Sequence, residues 1–431
     1  MTKKILFISY PYKPNSSAGA VRSERLATHL ASEGWEVDVV TIRPLGEPIS
    51  ECEKKEKLSS LRITRTKTID PWLRLQQWKP KNWMLKVLRS LGLRVFSFPD
   101  HMVFWIPFVV LEGLKIQKKR GFNAIYTTSP PHSTHLAGVI LSKFSGKPLV
   151  ADFRDPWTLN VYCKDDLNRR FLFFLERAFE KLIIKNASVL FANTRANQNQ
   201  LCSAFPSITD NKVYYLPNGM QKFELPNNTV ISNDYFTIVH TGTFYPNFKP
   251  YGLLEALARW KQGCQPPGIP EFHGIKLKLI GCSDMVTKKI VSDLDLVDDV
   301  SFEPWVPLEE ARRIMCCADA LWVTLGTGKE AASYVPSKLF EYIAAQRPIY
   351  GFFPPGEASS ILKNTGTGFV FEKDDCELVI SVLFEAIQSK KEGKAFPEFY
   401  RRNEEAVGEL DVEKVLERFQ NILSNIIKIS Y

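Results

Sequence analysis

Residues 320–352 read ALWVTLGTGKEAASYVPSKLFEYIAAQRPIYGF. An apolar run over Ala320–Leu325 passes into a polar, glycine-bearing stretch. Pro336 then opens a helical pattern that ends near Ala345, and the Arg347-Pro348 turn leads into a second apolar run over Pro348–Phe352. Strand, helix and strand in close succession form the repeating unit of a parallel sheet. Pro suits the first helical position because its missing N–H is one that the helix could not bond anyway. The remaining free N–H groups and the helix dipole favour a phosphate there. Lys338 stands in that first turn and Glu341 one turn later, placed to accept hydrogen bonds from a ribose. Both also read as an ordinary solvated helix face.

The same alternation extends in both directions. Toward the N-terminus, strands are expected at Lys4–Tyr10, Trp35–Ile42, Ala124–Thr128, Pro148–Phe153, Ala187–Asn193 and Val213–Leu216. Helical patterns fill Ala20–Glu33, His132–Phe144, Leu167–Ile184 and Ala196–Phe205. A polar stretch at Pro226–Asp234 reads as a linker. Beyond it the series restarts, with strands at Tyr235–Thr241, Ile275–Ile280, Val300–Glu303, Ala320–Leu325, Pro348–Phe352 and Gly368–Phe371. Its helices are Tyr251–Gln262, Met285–Leu294, Leu308–Cys317, Pro336–Ala345 and Glu377–Ser389. The expected class is α/β with two doubly wound domains, residues 1–225 and 226–405, and a closing segment, 406–431, whose helical pattern Val412–Ile429 has no strand after it and is expected to lie across one of the domains rather than extend a sheet. Doubly wound sheets collect ligands at the carboxyl ends of their strands, so a cleft between two facing domains is the expected site.

Length and composition agree with two cores, since 431 residues with 45% apolar content exceed what one core serves. The eight cysteines are scattered without a CxxC pair or a nearby His, which points to reduced thiols and away from zinc. No apolar run reaches the length of a membrane span and no cleavage-site pattern follows Met1, so the expected location is cytoplasmic. The net charge of +9 is divided unevenly: residues 1–200 carry 32 basic against 17 acidic side chains, and the remainder 24 against 30. A basic half suggests an anionic partner.

Four further stretches carry candidate chemistry. After the first strand, Asn15-Ser16-Ser17-Ala18-Gly19-Ala20 supplies small residues that let backbone N–H groups approach an anionic or sugar ligand. It reads equally as a plain βα turn. Asp152-Phe153-Arg154-Asp155-Pro156-Trp157 puts three charges at the end of a buried strand, costly unless paired or used. It is expected to line the cleft, with a local Arg–Asp pair as the alternative. His132, in the turn Ser129–His135, could serve acceptor or phosphate, while Ser129 or Ser133 could simply cap a helix. His240-Thr241-Gly242-Thr243 opens the second domain, with Lys249 close enough in sequence to reach a diphosphate.

In order and spacing these segments resemble the family-four retaining glycosyltransferases of GT-B fold, of the bacterial surface-polysaccharide kind. The similarity runs over nearly the whole chain and includes Leu216-Pro217-Asn218-Gly219 and the Arg347-Pro348 turn. The resemblance implies a nucleotide-sugar donor, UDP-type by default, and a saccharide or lipid-linked acceptor, with no metal. It assigns Ala18 and Gly19 to phosphate and acceptor, Lys249 and Lys338 to the diphosphate, and Ser337 and Glu341 to phosphate and ribose. It also sets the base near Trp305 and Val306, and Gly242 and Thr243 beside the donor. Lys249, Lys338 and Asp155 are the catalytic candidates, with Arg154 and His132 facing the acceptor. The lysines and the helix start would stabilise charge growing on the leaving diphosphate. The family's Glu-x7-Glu pattern is broken, because Ser333 holds the first position and the nearest upstream carboxylate is Glu330. Arg154 and Asp155 stand where the family often has a cleft His. Asp293-Leu294-Asp295 spells a DxD but sits in a helical stretch and reads as a solvated face.

Ile69–Phe98 mixes Trp72, Trp78 and Trp83 with Arg74, Lys79, Lys81, Lys86, Arg89 and Arg94. That composition fits a helix lying on an anionic membrane, and equally a helix packed on the sheet with its charges in water. Nucleic acid is not expected, since no binding module is recognisable. Two other classes remain open: a nucleotide-sugar 2-epimerase of the same architecture, and a non-catalytic nucleotide-binding scaffold.

Overall fold

The computed structural model describes residues 2–15, 17–43, 59–69, 82, 84, 98–159, 170–206, 208, 210–224, 235–244, 251–263, 274–326, 328–372 and 375–429. The chain divides into two compact units, Met1–Pro217 with Val415–Tyr431, and Asn218–Lys414. The division therefore falls at Pro217, ahead of the polar stretch read as a linker. The segment around residues 404–414 belongs to the second unit.

In the first unit seven strands form one parallel sheet: β1 (Lys4–Ile8), β2 (Glu36–Ile42), β3 (Leu61–Thr66), β4 (Ala124–Ser129), β5 (Leu149–Phe153), β6 (Val189–Ala192) and β7 (Val213–Tyr215). Their order is β3-β2-β1-β4-β5-β6-β7. Among the described residues its helices are α1 (Ala18–Ser32), α2 (Ile106–Lys119), α3 (Ser133–Ser145), α4 (Arg170–Asn186) and α5 (Arg195–Ala204). β4 and β5 are buried at every position, as parallel strands covered on both faces must be. Alternate residues feed two layers. Leu6, Ile8, Ile125, Ala151 and Phe153 enter a core with Val109, Val139 and Ile183 from α2, α3 and α4. On the other face Tyr126 lies 4.3 Å from Phe7, ring centre to ring centre.

The second unit repeats the plan with β8 (Phe236–Thr241), β9 (Ile275–Ile280), β10 (Val300–Glu303), β11 (Ala320–Thr324), β12 (Ile349–Phe352) and β13 (Gly368–Phe371). These lie in the order β10-β9-β8-β11-β12-β13, all parallel. Its helices are α6 (Tyr251–Lys261), α7 (Met285–Asp293), α8 (Leu308–Cys316), α9 (Ser337–Ala344), α10 (Glu357–Thr365), α11 (Cys376–Lys391) and α12 (Glu404–Gly408). Leu253 and Leu257 of α6 and Val379, Leu383 and Ile387 of α11 pack on Ile238, Leu277, Trp322 and Phe352. Side chains fix several helix starts: Asp284 accepts from Thr287 N at 2.8 Å and Asp375 from Leu378 N at 3.2 Å. The second Asp of the DxD follows α7 rather than lying in it, and Asp295 pairs with Lys261 at 3.5 Å.

The last helix, α13 (Val412–Ile429), passes from the second unit into the first. There the fully buried Phe419 meets Tyr126 at 5.3 Å and Phe191 at 5.6 Å, while Gln420 bonds His29 at 2.9 Å. Among the described residues no helix is long and apolar enough to cross a membrane.

Candidate functional site

In the second sheet the order reverses between β8 and β11, the place where a doubly wound sheet opens a crevice at its carboxyl edge. The chain leaves β8 through Gly242, whose φ of +83° is a left-handed conformation that favours glycine. Gly242 N donates to Ile280 O at 2.8 Å, and a Cβ at Gly242 would stand 3.4 Å from Lys338 Nζ. Lys338, in the first turn of α9, thus extends over the end of β8.

The surroundings of Lys338 are unusual for an ammonium. Nζ donates to His240 Nε2 at 3.2 Å and to Thr243 O at 3.4 Å. Among the described residues no carboxylate pairs with it, and no side chain caps the N-terminus of α9. A lysine at the positive end of a helix is electrostatically misplaced unless an anion is bound beside it. Burial pushes this ammonium down to about 8. His240 is buried and stacks on Phe244 at 4.1 Å. Its burial, and then the charge of Lys338, hold it well below the usual histidine range, so the imidazole is neutral. Cys282, whose thiol is raised to about 11 by burial and Asp284, is likewise uncharged.

One turn along α9, Glu341 is gripped by Arg312 of α8, whose Nε and Nη2 each lie 3.2 Å from Oε2. Arg312 also bonds Glu309 at 3.0 Å and Gln221 at 3.4 Å, and stacks over Phe223 at 4.7 Å. The carboxylate is therefore held in a fixed orientation. Arg312 was not among the candidate residues of the sequence; its partner is 29 positions away, beyond any helical spacing. Trp305 is 65% exposed and sits against Gly281 at the end of β9, with Val306 half-buried beside it. Ser337 and Thr243 are exposed at the same edge, and the buried Ser333 closes the turn before α9. Lys249 and Glu330 lie outside the residues whose side chains are described.

The first unit holds a second constellation. Ser17 caps α1 by accepting from Ala20 N at 3.4 Å, placing Ala18 and Gly19 in the first turn. The guanidinium of Arg154 lies where a Cβ at Gly19 would have to be. Arg154 in turn bonds Asp155 at 3.0 Å, the local pair that the sequence left as an alternative. His132 stacks flat on the buried Trp157 at 4.7 Å. The N-terminus of α3 is capped by neither Ser129 nor Ser133. Asp100 does it, accepting from Ser133 N at 2.8 Å and Ser133 Oγ at 2.7 Å.

Asp152 departs from its expected place on a cleft wall. It is fully buried, accepting from Arg22 Nε at 3.0 Å and Tyr126 Oη at 2.6 Å. Arg22 also donates to the carbonyls of Leu216 at 2.8 Å and Pro217 at 2.9 Å. The charge cost is met by pairing inside the unit, and the pair ties α1 and β5 to the segment after β7.

Comparison with other proteins bears on the fold. No protein-family model matches the chain, and no curated protein matches it by sequence. Among solved structures it is similar to sucrose-phosphate synthase from Thermosynechococcus elongatus, with 16% identity, 99% of this chain and 100% of that one covered, and a TM-score of 0.71. It is also similar to WaaG, a glycosyltransferase involved in lipopolysaccharide biosynthesis, with 14% identity, 94% and 99% coverage and a TM-score of 0.57. The fold is GT-B. The chain is also similar to the UDP-GlcNAc 2-epimerase of Methanocaldococcus jannaschii, at 13% identity, 99% and 100% coverage and a TM-score of 0.51. In this GT-B chain Gly242, Thr243, Ser337, Lys338, Glu341 and Val306 all belong to the second unit, and Ala18, Gly19, His132, Arg154 and Asp155 to the first. Among the described residues no group of three or more His, Cys, Asp or Glu side chains is placed to hold a metal ion.

Proposed function

We propose that the chain is a glycosyltransferase that moves a sugar from a nucleoside-diphosphate sugar to a saccharide or lipid-linked acceptor. The observation that carries this reading is Lys338: a half-buried ammonium at the uncapped start of α9, over Gly242, with a neutral imidazole as its side-chain partner. Such a place suits a diphosphate, whose charge increases as the glycosidic bond breaks. Glu341, oriented by Arg312, suits the ribose, and the edge near Trp305 and Val306 suits the base. Lys249 is assigned to the same diphosphate by the resemblance.

In this reading the reaction retains configuration, with the leaving phosphate taking the acceptor proton, and no metal is needed. The first unit receives the acceptor, with Arg154 at the start of α1 as the group that meets its charge. The location is cytoplasmic, with the basic first half on the inner face of a membrane, and the product enters cell-surface polysaccharide. UDP is the default donor nucleotide.

The test is incubation with a panel of UDP-, GDP- and ADP-sugars, alone and with saccharide and polyprenyl-phosphate-linked acceptors, followed by mass spectrometry. Free nucleoside diphosphate plus a glycosylated acceptor supports the transferase. An epimerised nucleotide sugar without any acceptor makes the chain an isomerase.

A further inference from the structure

We infer that His240 is a positioning residue for the donor diphosphate, holding the Lys338 ammonium in place without neutralising it. The inference rests on the reading of Lys338 as a diphosphate ligand. His240 Nδ1 is 2.8 Å from the backbone oxygen of Trp322, an obligate acceptor, so Nδ1 carries the ring proton. Nε2 therefore presents a lone pair, and Lys338 Nζ lies 3.2 Å from it. The ring cannot turn away easily, being buried, stacked on Phe244 at 4.1 Å and flanked by Trp322 at 5.5 Å.

The choice of an imidazole has a chemical consequence. A carboxylate at this distance would bind the ammonium more strongly but cancel its charge, leaving little to attract an anion. A neutral acceptor fixes the direction of Nζ and leaves the full positive charge outward. The long lysine side chain would otherwise lose rotamer freedom when the ligand arrives, and preorganisation removes that cost. Lys338 touches the ligand in this account; His240 acts through it.

Two substitutions separate this role from simple packing. In His240→Asn the amide nitrogen takes the place of Nδ1 and keeps the bond to Trp322, but nothing reaches Lys338. In His240→Gln the amide oxygen extends to the position of Nε2 and restores the acceptor. UDP, GDP and ADP are titrated calorimetrically against the full-length protein, its two variants, and each variant combined with Lys338→Met.

The expected result is about tenfold weaker binding for His240→Asn, recovery to within about threefold for His240→Gln, and no Asn effect in the Lys338→Met background. The inference is overturned if His240→Asn binds as tightly as the unaltered chain, if Asn and Gln weaken binding alike, or if the Asn effect persists without Lys338. Should the Asn variant fail to fold, His240→Leu replaces it in the same comparison. If the unaltered chain binds none of the three nucleotides, the donor reading itself fails, an outcome distinct from these.

Discussion

Lys338 Nζ and His240 Nε2 face each other at 3.2 Å, while the other ring nitrogen of His240 is committed to the Trp322 carbonyl. The ammonium keeps its charge but is easier to deprotonate than an exposed lysine, because burial lowers it to about 8. Nucleoside-diphosphate affinity should be nearly level below about pH 7 and fall through pH 8, approaching about tenfold per pH unit above it, since only the protonated amine attracts the ligand. In the free protein the sign reverses. Between about pH 8 and 10.4 the unfolded lysine binds more protons than the folded one, so this group's contribution to stability rises with pH. Titration of UDP, GDP and ADP across pH 7–10 checks the first statement, and urea unfolding over the same range the second.

A different pH effect is expected from Glu180 of α4. Its carboxyl is buried, accepts hydrogen bonds from Thr158 and from Arg177, the latter at 3.4 Å, and is raised by burial to about 7. A carboxyl with a raised folded-state value favours folding below the unfolded value of about 4.3 and loses that advantage as pH rises to about 7. The loss amounts to about 3–4 kcal/mol and then levels off. Glu180→Gln should lack this pH-dependent decline, read as the difference in urea midpoint between pH 5 and pH 8. Parallel curves for the two proteins would refute the assignment.

Asp152 and Arg22 are expected to behave as a unit. Removing one member strands the other charge in the interior, so Asp152→Ala should cost about 3–5 kcal/mol. The double replacement Asp152→Ala with Arg22→Met should cost less than the sum of the single changes. Denaturant unfolding of the four proteins gives the coupling directly.

Gly19→Ala tests the first unit. Alanine favours a helix over glycine by about 1 kcal/mol, but its Cβ would occupy the place of the Arg154 guanidinium. Stability should therefore change by no more than about 1 kcal/mol, because the displaced atoms end a flexible side chain. Acceptor use should fall by about tenfold or more through displacement of that charge. Thermal melting paired with KM for the acceptor distinguishes this from a packing defect: displacement of the charge raises KM with little change in melting, whereas a packing defect would also lower the melting temperature.

Much of the architecture is legible in the chain because doubly covered strands such as Ala124–Ser129 and Ala320–Thr324, buried at every position, open on apolar runs, Ala124-Ile125-Tyr126 and Ala320-Leu321-Trp322-Val323. The closing helix Val412–Ile429 is legible as well, since its apolar positions recur with helical period. The edge strand Leu61–Thr66 carries no such run: Arg62, Thr64 and Arg65 interrupt it and it is only partly buried. Helix α2 escaped because Ile106-Pro107-Phe108-Val109-Val110-Leu111 is an apolar run without helical period, and α10 because Glu357–Thr365 is short and polar. In the candidate site, Lys338, Glu341 and Gly242 stand out in the sequence by their places at strand and helix ends. Arg312, and the partnership of Arg22 with Asp152 across 130 positions, are products of tertiary packing that no local pattern encodes.

The most direct test of the central claim is calorimetric titration of UDP, GDP and ADP, and of the matching monophosphates, into the full-length chain and into Lys338→Met. The account requires one diphosphate to bind tighter than its monophosphate, and Lys338→Met to weaken the diphosphate by at least about tenfold while leaving the monophosphate nearly unchanged. Equal affinity of Lys338→Met and the unaltered chain for that diphosphate would contradict it.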